Sequence, residues 1–223
     1  MIADVSLTEA IQKGDMPLLE KYLADNPLLA DGRTPDGVSL LLFALYCRNT
    51  EAAQVIKKHK PSMDAYEAVC CGDLERVRAL IDPSPERINQ PSPDGFSLLG
   101  FACFFGQVTV ARYLVEKGAA IDAPSVNSFK VAPIHSAAAI SSYPLVKLLV
   151  EKGADVNARQ QGNFTALHAA AGHGVPEIVR LLLENGADAG AVTDAGETPL
   201  FLAEKNGHAE VAELIRSHVR GGD

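Results

Sequence analysis

Residues 165–170 read T-A-L-H-A-A, and 33 positions later residues 198–203 read T-P-L-F-L-A. An equal step towards the N-terminus lands on A-P-I-H-S-A at 132–137. Weaker copies stand at 97–102 (S-L-L-G-F-A) and 39–44 (S-L-L-L-F-A). The later copies each lead into a second block. These are G-Q-V-T-V-A-R-Y-L-V-E-K-G-A-A at 106–120, S-S-Y-P-L-V-K-L-L-V-E-K-G-A-D at 141–155 and G-V-P-E-I-V-R-L-L-L-E-N-G-A-D at 174–188. Recurrence at a fixed period marks a repeat architecture, in which a unit buries its apolar face only against its neighbours.

One small residue anchors the register at Ala10, Ala44, Ala68, Ala102, Ala137, Ala170 and Ala203. The spacings are 34, 24, 34, 35, 33 and 33. Local chemistry agrees with that register. Thr198-Pro199 places a capping hydroxyl before a proline at the first helical position, and Thr165, Ser97 and Ser39 fill the same capping place. Gly118, Gly153 and Gly186 fall where a helix ends in a left-handed residue. Ile178, Val179, Leu181, Leu182 and Leu183 form an apolar face too broad for a lone helix, as do Leu145, Val146, Leu148, Leu149 and Val150 one period earlier.

The paired blocks resemble the ankyrin repeat, whose pattern is T-P-L-H-x-A-A, then G-H, then V-V-x-L-L-L-x-x-G-A-D, and the resemblance covers nearly the whole chain. It implies an all-α solenoid of about seven helix-turn-helix repeats forming one domain over 1–223. The repeats fall at about 1–32, 33–60, 61–90, 91–124, 125–158, 159–191 and 192–223. The short 24-residue step leaves the third repeat without its β-turn finger. The finger around Asn127 to Val131 is slightly longer than the rest, and the first repeat is a bare helix pair, as suits a cap. Arg216 replaces the last leucine of the final block, which gives a polar outer end. The family also implies that His135, His168 and His208 bond to backbone in the turns.

Composition narrows the function. The 223 residues are 47% hydrophobic and 22% charged, with a formal net charge of −8. An acidic chain is repelled by phosphate backbones and anionic bilayers, so neither nucleic acid nor a membrane is the expected partner. The one basic run, Lys57-Lys58-His59-Lys60, reads as cations set against a helix C-terminus. No stretch has the roughly 18 apolar residues of a membrane span, and the first residues lack the basic and apolar regions of a signal peptide. The expectation is a cytoplasmic monomer with free thiols.

No phosphate-binding loop, H-E-x-x-H or G-x-S-x-G motif occurs, so the chain reads as no enzyme and needs no cofactor. Cys47 and Cys71 share a column of neighbouring repeats, with Cys70 and Cys103 nearby. They lack paired ligand spacing and histidine partners and read as small buried helix residues, with a metal or redox cluster as the remote alternative. Asp25 and Asp31 read as isolated surface carboxylates.

The resemblance implies binding of an unidentified protein partner on the concave side, through finger tips and the exposed face of each first helix. An inhibitor or a host-directed effector would act by the same binding, and a self-assembling element is a rival role. The finger position before the Thr/Ser cap holds Val38, Phe96, Val131, Phe164 and Glu197. The late first-helix pair includes Tyr46, Phe104, Phe105, Ile140, His173 and Lys205, and Phe129 stands in the long finger. Such columns are ordinarily polar; here the central ones are apolar. Either they form an exposed strip centred on repeats four to six, with Phe96, Phe104, Phe105, Phe129, Ile140 and Phe164 as its anchors, or they turn inward and fill space beside small alanines, and Phe104 and Phe105 need not both be exposed.

Overall fold

The computed structural model describes residues 5–221, and these form fourteen α-helices in seven consecutive pairs, with no β-strand among the described residues. They group into two units, one comprising Met1–Ser84 and Ser92–Asp94, the other Pro85–Pro91 and Gly95–Asp223.

The first unit holds α1 (Val5–Lys13), α2 (Met16–Asp25), α3 (Leu40–Tyr46), α4 (Thr50–His59), α5 (Ala65–Cys70) and α6 (Leu74–Ile81). Helices α1, α3 and α5 stack on one another, and α2 stacks on α4. The second unit holds α7 (Leu98–Phe104), α8 (Val108–Glu116), α9 (Pro133–Ala139), α10 (Tyr143–Glu151), α11 (Ala166–His173), α12 (Pro176–Glu184), α13 (Pro199–Lys205) and α14 (Ala209–Gly221). Here the first helices α7, α9, α11 and α13 make one row and the second helices α8, α10, α12 and α14 another.

All seven anchor alanines are buried, because a methyl group is all that fits where adjacent first helices touch. Four residues after each anchor the chain must reverse through a positive φ. Gly14, Gly72, Gly106, Gly174 and Gly207 do so freely, whereas Arg48 and Ser141 adopt φ 56° in the same column. At Gly174 a Cβ would collide with the His208 ring, which is itself held by the Gly172 carbonyl, so space as well as φ favours the glycine. The predicted caps form as well: Ser39, Ser97, Thr165 and Thr198 accept from the N–H of Leu42, Gly100, His168 and Phe201.

The histidines tie repeats together. His135 Nδ1 accepts from the Ala132 N–H at 3.1 Å, and its Nε2 reaches the Ala158 carbonyl of the next finger at 2.8 Å. His168 repeats this with the Thr165 N–H and the Glu197 carbonyl. An amide must donate and a carbonyl must accept, so both rings are the neutral Nε2–H tautomer. Burial lowers the pKa of both and favours the same neutral form. His208 reaches back to the Gly172 carbonyl at 3.1 Å.

Between α4 and α5 the third pair has only residues 60–64, with no turn. One reading is corrected there. Lys60 closes α4, as its place in the basic run implies, its backbone N–H bonding to the Lys57 carbonyl, while its side chain, 6% exposed, turns inward. Its ammonium lies 3.2 Å from Glu67, itself 1% exposed, and 2.6 Å from Asp31, which is therefore not isolated. Glu67 also accepts from the Asp64 N–H in a capping box at the start of α5. A buried ion pair thus links α4 to α5 where the finger is missing, because a shortened connection leaves polar groups that only a long cationic side chain reaches.

Candidate functional site

The residues singled out from sequence divide between the two units. Val38 and Tyr46 belong to the first, where both are half-buried. The Tyr46 hydroxyl donates to Asp94 at 2.6 Å, and burial together with that carboxylate pushes the phenol well above its ordinary pKa. Its hydrogen-bonding capacity is spent inside the unit.

The remaining ten lie in the second unit, along the flank made by its first helices and fingers. Three large apolar side chains stand in solvent: Phe104 at 46%, Phe129 at 53% and Ile140 at 38% of full exposure. His173 and Lys205 are also exposed, whereas Phe96, Phe105, Val131, Phe164 and Glu197 are half-buried. The aromatic residues at the finger bases lean on the first helix behind them. Phe96 packs on buried Phe101 at 5.6 Å between ring centroids, and Phe164 packs on His168 at 5.1 Å. Phe105 lies between Phe101 and Phe104, meeting the latter edge-on at 5.1 Å. Of the adjacent pair, then, Phe104 is presented and Phe105 supports it.

The floor between these anchors is small and uncharged. Helices α7, α9 and α11 read LLGFACF, PIHSAAA and ALHAAAGH and carry no Asp, Glu, Lys or Arg. Ala139 is exposed and Gly172 half-buried, which leaves the backbone open to close approach. The fingers are rigidly joined: Gln161 N–H donates to the Phe129 carbonyl at 2.9 Å, and Asn163 donates to Asp194 at 2.6 Å. The Asn127 carboxamide accepts from the Phe129 N–H and fixes the longer finger.

At the far end of the row the surface turns polar. Lys205 pairs with Glu197 at 2.9 Å and covers the Phe201 ring at 5.5 Å, and Arg216 pairs with Glu204 and Glu213. Phe201, 46% exposed, escaped the sequence reading. The signal was its place in the column: it replaces the histidine of the T-P-L-H motif. Exposed Val126 and Tyr143 were also missed, since nothing in the repeat pattern marks their columns.

The cysteines offer little chemistry. Cys70 and Cys103 are buried, and burial pushes all four thiols up, which favours the neutral thiol over the nucleophilic thiolate. Among the described residues no three His, Cys, Asp or Glu side chains converge as metal ligands. No helix among them is long and apolar enough to cross a membrane.

Comparison with known proteins gives the same pattern. A family model described as ankyrin repeats (3 copies) matches residues 63–160 and 134–222. An E3 ubiquitin-protein ligase of Caenorhabditis elegans (hecd-1) is 27% identical over 140 residues, 63% of this chain and 5% of the ligase. Ankyrin repeat and SAM domain-containing protein 6 of the rat is 31% identical over 111 residues, 49% of this chain and 12% of its own length. An ankyrin repeat protein of fowlpox virus is 27% identical over 164 residues, 70% of this chain and 37% of the viral one. The chain therefore spans well under half the length of each of these relatives.

Proposed function

This chain belongs to the ankyrin repeat family, and from that premise we propose that it holds another protein against the first-helix and finger flank of its second unit. Ankyrin repeats are protein–protein interaction modules and are typically non-catalytic. Within that role, the observation that carries the site is the exposure of Phe104, Phe129 and Ile140 beside three first helices that bear no charge. Aromatic anchors at the centre of a patch supply most of the energy of an interface. A prebuilt row of helices loses little conformational freedom on binding, so that energy appears as affinity. We place the protein in the cytosol as a monomer without enzymatic activity and without affinity for nucleic acid. The ligase activity named for one relative belongs to a far longer chain and forms no part of this proposal.

Substituting Phe104, Phe129 and Ile140 together by alanine is expected to weaken the partner complex more than 100-fold, at about 2 kcal/mol for each aromatic anchor. Phe96 and Phe164 are left intact, because their rings support the helices behind them. The check is affinity capture from cells of the source organism, with wild type and triple variant matched for helicity by circular dichroism. A partner retained equally by both, with helicity unchanged, places the interface elsewhere.

A further inference from the structure

The charges along this flank specify the kind of partner it fits. The chain is net acidic, yet the acids near the second unit's flank are occupied. Glu197 is paired with Lys205, and Asp194 is bonded by Asn163. At the finger bases Asp122, Asp155 and Asp188 accept backbone N–H groups of Asp155, Asn157 and Gly190. The cations are different. Lys130 follows exposed Phe129 in the long finger, and Arg159 enters the next finger, whose Gln161 is bonded to the Phe129 carbonyl. Both are exposed, and neither head group has a hydrogen-bond or ion-pair partner among the described residues. The unpaired charged head groups in the fingers beside exposed Phe129 are therefore cationic.

We infer that the docking flank proposed above selects an acidic amphipathic segment of another protein: large apolar side chains against Phe104, Phe129 and Ile140, and Asp or Glu side chains against Lys130 and Arg159. The apolar part supplies affinity, and the charged part supplies choice of partner and speed of encounter. Basic segments are disfavoured, because they would bring like charge onto Lys130 and Arg159.

Selection from a random peptide display library tests this, with wild-type protein, a Lys130→Glu/Arg159→Glu variant and a Phe104→Ala/Phe129→Ala variant as baits. Wild type is expected to enrich peptides in which Asp or Glu lie among large apolar residues. Those peptides should bind the charge-reversed variant at least tenfold more weakly, and that variant should enrich basic peptides instead. No acidic enrichment, or equal binding to the charge-reversed variant, overturns the charge assignment. If the Phe104→Ala/Phe129→Ala variant also binds the selected peptides as wild type does, the docking flank itself is wrong. A dimer of wild type in sedimentation at micromolar concentration, lost in the same alanine variant, would make a second copy the occupant and overturn the inference.

Discussion

Lys60→Met is expected to destabilise the first unit by about 3 kcal/mol, and adding Glu67→Gln to that variant is expected to restore much of the loss. Lys60 and Glu67 are both shielded from water and face each other at 3.2 Å. Methionine fills the volume of the lysine stem but leaves the Glu67 carboxylate buried, held by the Asp64 N–H and without its cation. An uncompensated buried charge costs far more than a solvated pair contributes. Glutamine at 67 removes the charge and keeps a carbonyl oxygen for the Asp64 N–H, so the double variant is the more stable of the two. Urea denaturation followed by circular dichroism, with amide exchange across residues 65–70, reads the difference. A double variant no more stable than Lys60→Met would show that the pair is not what links α4 to α5.

Phe101→Ala is the other large effect, at about 3–4 kcal/mol from the second unit. Phe101 is 2% exposed, and its ring supports Phe96 at 5.6 Å and Phe105 at 6.3 Å. Removing it opens a cavity at the start of the first-helix row and withdraws the backing of the ring that holds Phe104 edge-on. The substitution should therefore lower the melting temperature and weaken partner binding together. Phe104→Ala, at a side chain 46% exposed, should weaken binding while changing stability by about 1 kcal/mol or less. Thermal denaturation beside a binding titration separates the two. Equal loss of stability in both variants would place Phe104 in the core.

What the sequence made legible follows from how the repeat is built. Ala10 through Ala203 mark contacts that recur in every pair, so their column is visible as a period and each proves buried. The capping hydroxyls and the glycines at φ 92°, 83° and 85° (Gly118, Gly153, Gly186) act within a few residues and are equally visible. The missing third finger shows as a shortened step. What replaces it does not show: Lys60 reads as the last of four basic residues, and its partners Asp31 and Glu67 are found only when α4 and α5 are packed. The candidate strip was half legible for the same reason. Column position marks Phe96, Phe104, Phe105 and Phe164 as alike, but only tertiary contact presents Phe104 while laying Phe96 and Phe164 on Phe101 and His168. Phe201 stands in the histidine column of the motif, but the column alone does not show that its ring is 46% exposed.

A photoreactive benzophenone side chain placed at position 104, 129 or 140, and as a control at exposed Glu184 on the second-helix row, tests the central claim in the cell where the protein works. Adducts with one common partner at the three flank positions and none at 184 are the predicted result. Adducts with that partner at 184, and none at 104, 129 or 140, would contradict it.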